Sequence, residues 1–103
     1  MMLHIHGSGL SLTAALKEMA EEKFGRLNRL LTRFDDSDLL MDIELSKTTA
    51  HHNKGKIFRV EINLPIGRHQ VFCAAECDDL YEAMDHCVTT AKRQLTKLKE
   101  KGA

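Results

Sequence analysis
Apolar and polar residues alternate in Leu3-His4-Ile5-His6, which predicts a short strand, and Gly7-Ser8-Gly9 ends it. A helical period follows. Thr13 is the expected N-cap, with Ser11 as the alternative, because a hydroxyl can accept a free backbone N–H of the first turn. Leu16, Met19, Ala20, Phe24, Leu27, Leu30 or Leu31, and Phe34 recur at helical spacing. Gly25 interrupts that run at a cost of about 1 kcal/mol relative to alanine. The pattern is long enough to carry the helix through it, and the glycine is expected to mark close approach to another element. Asp35-Asp36-Ser37-Asp38 then reads as a polar loop. Three runs of period two come next: Leu39, Met41, Ile43 and Leu45; Phe58, Val60, Ile62 and Leu64; Val71, Cys73 and Ala75. Their alternate positions are mostly polar, so each strand has one buried and one wet face. The turn at Pro65-Ile66-Gly67-Arg68 makes the last two a hairpin, and the three strands a meander. From Asp79 onward Leu80, Met84, Cys87, Val88, Ala91, Leu95 and Leu98 form one apolar stripe on a closing helix, with Asp79 and Glu82 as a capping pair.

The predicted order is β-α-β-β-β-α. Half-polar strands and two amphipathic helices imply an α+β fold of two layers, a four-stranded mixed sheet with both helices packed on one face. The first strand reaches the second through a helix, so those two should be parallel.

Composition narrows the setting. The chain of 103 residues is long enough for one domain with one modest core, and at 43% hydrophobic it is not expected to be disordered. It has no apolar run of about 18 residues, so no membrane partner is expected. The N-terminus has neither a basic start nor an apolar block, so a signal peptide is not expected and a reducing intracellular setting is. Cys73, Cys77 and Cys87 fit that setting. Their number is odd and their spacing matches no common zinc pattern, so they are expected to be reduced and packed.

The net charge is zero, but the charges run in blocks. Lys23, Arg26, Arg29 and Arg33 follow the acids of the first helix. Asp35, Asp36, Asp38, Asp42 and Glu44 form an acidic block, and the acids from Glu76 to Asp85 precede Lys92, Arg93, Lys97, Lys99 and Lys101. Blocks of this kind set up local potentials that the total conceals. Acids early and bases late also suit a helix dipole, so part of the order needs no ligand. Arg93, Lys97 and Lys101 recur at steps of four, a cationic row beside the apolar stripe. On pattern alone, a polyanion-binding strip and a solvated charged surface both stay open.

Catalytic chemistry finds little support. Ser8 lies between glycines without the nucleophile-elbow spacing, and Gly7-x-Gly9 is too short to cradle a phosphate. His4 and His6 share one face of the first strand, but no acidic or cysteine ligand has a fixed relation to them in the sequence. They read as polar surface histidines, and so do His51 and His52. Acid pairs sit where caps are wanted. No enzyme, no metal, no cofactor and no small-molecule substrate are expected.

The last helix carries a resemblance. Asp79-Leu80-Tyr81-Glu82-Ala83-Met84-Asp85 followed by Arg93-Gln94-Leu95-Thr96-Lys97 resembles the D-M-Y-x-A-I-D and R-Q-L-x-K signature of the ribosome hibernation-promoting factor and ribosome-associated inhibitor family. Leu12-Thr13-x-Ala15-Leu16, Lys23-Phe24-Gly25-Arg26-Leu27 and Arg59-Val60-Glu61-Ile62 are similar to further family segments. The resemblance implies a β-α-β-β-β-α domain, with residues 1–103 as a single ribosome-binding domain. It implies a cytoplasmic protein that binds the small ribosomal subunit and its rRNA in the decoding region, blocks tRNA and mRNA, and silences translation in stress or stationary phase. The positions matching the family's basic motifs are Lys23, Arg26, Arg93 and Lys97, with Lys92, Lys99 and Lys101 added by neighbourhood. Leu80, Tyr81, Ala83, Met84 and Leu95 are expected in the core. Thr90 stands where the family often has a lysine, and the Thr48–Gly55 loop is longer than in the shortest relatives. The chain most resembles the short form, expected to be a monomer away from the ribosome. The alternatives are a general double-stranded-RNA module and a protein-interaction domain using the exposed sheet face.

Overall fold
A computed structural model describes residues 1–31, 39–47 and 58–101. Arg33, Phe34, the acidic loop 35–38 and the loop 48–55 with His51 and His52 lie outside the described residues. Strand β1 spans Met2–Ser8, helix α1 Ala14–Gly25, β2 Leu40–Lys47, β3 Phe58–Ile66, β4 His69–Cys77 and helix α2 Leu80–Glu100. A 3₁₀ segment, Arg26–Leu31, continues directly from α1. The sheet order is β1-β2-β3-β4, with β1 parallel to β2 and the other pairs antiparallel. This is the two-layer α+β arrangement that the polar–apolar pattern predicts. Among the described residues, no helix is long and apolar enough to cross a membrane.

The register shows why alternation was a reliable guide. Ile5 pairs with Ile43, Ile43 with Ile62, and Ile62 with Cys73, so one apolar residue from every strand meets in a single row across the sheet. Met41, Ile43, Leu45, Val60, Ile62, Leu64 and Val71 are fully buried under the helices. Burying each such side chain stabilises the fold by about 1.5–3 kcal/mol. From the helix layer Ala20, Phe24, Leu27, Leu31, Ala83, Met84, Cys87, Ala91 and Leu95 close the same core.

Local chemistry places the ends of the elements. The Thr13 hydroxyl accepts the N–H of Leu16 at 3.1 Å, which caps α1. The Asp79 carboxylate accepts the N–H of Tyr81 at 2.9 Å, which caps α2. Gly67 opens the two-residue turn between β3 and β4 with φ +57°, the position that a II′ hairpin fills with glycine. Pro65 is tolerated in a central strand because the pairing of β3 with β2 runs only as far as Asn63. Gly9 follows β1 with φ +71°, and a Cβ there would stand 3.1 Å from the Lys47 carbonyl of β2.

One expectation is corrected at Gly25. The α-helix does not run through it; it ends there and tightens to 3₁₀ geometry. Nor does the glycine mark a close approach, since a Cβ built on it meets nothing within 4 Å. The apolar pattern conceals the change because Leu27 and Leu31 still face the core across the junction.

The cysteines are free, with Cys73 and Cys87 buried and Cys77 half-buried. Cys87 donates its S–H to the Val60 carbonyl at 3.5 Å. Burial, reinforced by Cys73 beside it, pushes the Cys87 thiol well above its ordinary value of 9.0. The unfolded chain therefore releases this proton at a lower pH than the folded one. The stability this group contributes is complete below about pH 9 and declines above it, by up to about 1.4 kcal/mol per pH unit. Urea unfolding at pH 8 and pH 10 should show a steeper loss in the native protein than in Cys87→Ala. Equal slopes would mean that the thiol ionises freely in the fold.

Candidate nucleic-acid interface
Topology brings the basic halves of the two helices to the same end of the molecule. β2 and β4 run in the same direction, because each is antiparallel to β3. α1 leads back from β1 into the parallel strand β2, and α2 turns back from β4, so the two helices are parallel. Their starts meet around a cleft of about 490 Å³, lined by Ser11, Thr13, Leu16, Asp79, Leu80 and Tyr81 among others. Further along, Lys23 near the end of α1 meets Asp85 of α2, and the 3₁₀ segment packs beside α2. Apart from Glu100 at the very end of α2, the acids of both helices thus lie towards one pole. Arg26 and Arg29 lie towards the other, with the lysines and arginine of the second half of α2.

The seven cations named from the sequence do not form one row. Lys23 is only 14% exposed and its ammonium is held by Asp85, so it fastens α1 to α2. Arg26 is exposed and reaches back 3.4 Å to Glu22 on its own helix. At about 100° per residue, Lys92 and Lys99 fall within roughly 40° of Asp85, on the flank of α2 that faces α1. Arg93 and Lys97 lie about 80–120° further round, on the outer flank, with Lys101 following at the helix end. Lys92, Arg93, Lys97 and Lys101 are exposed, Lys99 is half-buried, and Thr96 lies between the two rows. Among the described residues none of these five cations has a carboxylate within 4.0 Å. The surface this makes is a broad cationic half-cylinder around the end of α2, with Arg26 at its margin. Lysine and arginine heads left unneutralised in this way are available to phosphates.

Gln94 has a different task, which the sequence pattern did not disclose. β4 is an edge strand, and the N–H and C=O of Phe72 point out of the sheet. The Gln94 side chain answers both: Nε2 donates to the Phe72 carbonyl at 2.7 Å, and Oε1 accepts the Phe72 N–H at 2.9 Å. The Arg93-Gln94-Leu95 tripeptide is thus divided three ways, with Arg93 in solvent, Gln94 on the sheet edge and Leu95 fully buried. The only sign of this in the sequence is that Gln94 belongs to the signature. Gln94→Ala should cost about 1–2 kcal/mol and speed hydrogen exchange at the Phe72 amide, with Gln94→Glu intermediate because it keeps only the acceptor. An unchanged exchange rate at Phe72 would count against the clasp.

One further residue departs from expectation, and one follows its alternation. Tyr81, expected in the core, is 48% exposed. It lies about one helical step from Leu80, in line with Val88 and Lys99 at the margin of the stripe, and forms a wall of the cleft between the helix starts. Phe72 lies on the outer face of the sheet and is 46% exposed. The histidine pair also gains a neighbour that spacing alone did not supply. The parallel register sets His4 opposite Asp42 and His6 opposite Glu44.

Comparison with known proteins agrees along the whole chain. The family model described as Sigma 54 modulation protein / S30EA ribosomal protein matches residues 3–103. A ribosome hibernation promoting factor of Azotobacter vinelandii is 33% identical over 101 residues, covering 98% of this chain and 85% of that protein. The one from Escherichia coli K12 is 30% identical over 105 residues, covering 98% and 96%. Among solved structures, the N-terminal domain of Thermus thermophilus Protein Y superposes with a TM-score of 0.76 at 27% identity, covering 95% of this chain and 99% of that one. A ribosomal subunit interface protein from Coxiella burnetii gives 0.73 at 25% identity, covering 97% and 99%.

Proposed function
The chain belongs to the Sigma 54 modulation protein / S30EA ribosomal protein family, and on that premise we propose that it is a ribosome hibernation factor, binding the small subunit at the decoding region. The whole-length similarity to proteins named ribosome hibernation promoting factor carries this reading. The cationic end of the helical layer supports it. Lys92, Arg93, Lys97, Lys99 and Lys101 contact rRNA phosphates, with Arg26 at the rim. Lys23 serves the same surface through Asp85, by holding the first helix in place beside the second. The protein acts in the cytoplasm by occupancy. It fills the space that tRNA and mRNA need, requires no catalysis or cofactor, and silences translation under stress or in stationary phase.

The chemistry of the surface suits a shaped RNA more than an extended strand. Of the described aromatics, Phe24 is buried and only Phe72 and Tyr81 are substantially exposed. Tyr81 lies at the helix starts, away from the basic end, and Phe72 is a single ring on the outer face of the sheet, at the strand position that Gln94 clasps. No row of stacking platforms accompanies the cations, so recognition rests on backbone and shape. A net charge of zero disfavours indiscriminate binding to any duplex.

Co-sedimentation with small subunits across a salt series tests the proposal. The protein should pellet with them at low salt, be released as salt rises, and compete with tRNA. Absence from the low-salt pellet, or equal affinity for any RNA duplex, would overturn it.

A further inference from the structure
We propose that the outer face of the sheet holds a site for a borderline divalent metal ion, zinc being the type case, built by His4, His6 and Asp42 with Glu44 behind it. This face lies opposite the helices and takes no part in the cationic surface. The spacing of His4 and His6 in β1 puts both imidazoles on one side, and the rings stack with centroids 5.1 Å apart. The parallel register with β2 then delivers a carboxylate to them. Asp42 Oδ1 stands 2.9 Å from His4 Nδ1 and 3.2 Å from His6 Nε2. One ligand atom from each of the three residues falls within a span of 4.8 Å.

That spacing is close to what a metal requires. Tetrahedral ligands about 2.0–2.2 Å from a zinc ion stand about 3.3–3.6 Å from one another. Around an ion the two Asp42 contacts open by a few tenths of an ångström and the two imidazole nitrogens draw together, by about 1 Å at most, a movement within reach of exposed side-chain rotations. Two imidazole nitrogens and one carboxylate oxygen suit zinc, cobalt or nickel and not magnesium, which prefers an all-oxygen shell.

Two independent features point the same way. The first is the support behind His6. When Nε2 faces the ion, Nδ1 faces Glu44, whose Oε2 is 3.9 Å away. A carboxylate behind a ligating histidine fixes the ring and raises its basicity, and here that pairing needs only a short closing movement. The second is the local charge. Arg59 is engaged by Glu61 at 3.0 Å and Glu76 at 3.7 Å. Among the described residues Asp42 and Glu44 meet no lysine or arginine, only the two histidines. A dication would neutralise that pair. A shallow cleft of about 220 Å³ lined by His6, Asp42, Glu44, Glu61, Ile62 and Asn63 leaves room for a water to complete the coordination.

Bound there, the ion ties β1 to β2, the one strand pair joined through the helical crossover. Zinc should therefore raise the melting temperature in step with its concentration. The test is calorimetric titration of the chelator-stripped full chain with Zn²⁺ alone, followed by the same titration of variants. The expected result is one saturable site per chain. His4→Gln with His6→Gln should abolish it, Glu44→Gln should weaken it about 10–100-fold, and His69→Gln with His86→Gln should leave it intact. In the unmutated protein the imidazole resonances of His4 and His6 should move with zinc while those of His69 and His86 stay. Binding that survives loss of His4 and His6, resonances of those two that do not respond, or the absence of saturable binding would each overturn the assignment.

Discussion

Reversing two charges, Arg93→Glu with Lys97→Glu, should remove the protein from the small-subunit pellet while leaving its fold intact. Each phosphate neutralised contributes roughly 0.7–0.9 to the slope of log affinity against log salt, so each contact is worth about five- to eight-fold at 0.1 M salt. Losing two such contacts and adding two repulsive charges should weaken binding on the order of 100-fold or more. The salt dependence of what binding remains should flatten. Stability should change little, because both side chains are exposed and neither meets a carboxylate among the described residues. Lys97 lies in the last turn of α2, where an anion opposes the helix dipole at a cost of about 0.3–1 kcal/mol. A melting temperature lower by no more than several degrees is consistent with that. A collapse in stability would show that these residues hold the fold and do not read RNA.

Phe24→Ala should have the opposite profile, with the fold lost first. Phe24 is fully buried at the last α-helical turn before the 3₁₀ segment, as part of the core that the helices close over the sheet. Removing it forfeits the transfer free energy and leaves a cavity, for about 3–5 kcal/mol together. A domain of this size has only about 5–15 kcal/mol to lose. Thermal melting should fall on the order of 15–30 °C. Phe72→Ala is the matched control, because that ring is about half in solvent and its loss should cost well under 1 kcal/mol beyond any effect on strand propensity. Similar costs at the two positions would contradict the placement of the core.

The contrast between the two phenylalanines shows what alternation can and cannot reveal. Phe72 occupies an out-facing strand position, and the period of two marks it as such however apolar it is. The strands and the stripe of α2 were legible for the same reason: each residue's face follows from counting along its own element. What was not legible depends on a partner element. The carboxylate of Asp42 meets His4 only because β1 and β2 pair in parallel in one particular register. Lys23 reads as a surface cation until the packing of α1 on α2 sets Asp85 beside it. Gly25 ends a helix whose apolar rhythm continues, because α and 3₁₀ turns both keep Leu27 and Leu31 inward. Tyr81 sits at the margin of its stripe, where the sequence leaves the choice between core and solvent to the neighbouring helix start.

The family signature mixed these kinds of information. Its alanine and leucine report packing, its aspartate a cap, its glutamine a strand edge and its arginine a surface. Reading every signature residue as a ligand contact would have put Gln94 on RNA, when its hydrogen bonds are already spent on Phe72.

That clasp has a consequence for the molecule at high concentration. A sheet with two open sides can act as a template, recruiting another chain strand by strand until it becomes a fibre. On β4 an incoming strand would need the donor and acceptor of Phe72 near the middle of the run, and would have to evict Gln94 to reach them. The glutamine works as a resident one-residue strand that cannot be extended, so polymerisation is blocked from that side by a side chain of the molecule itself.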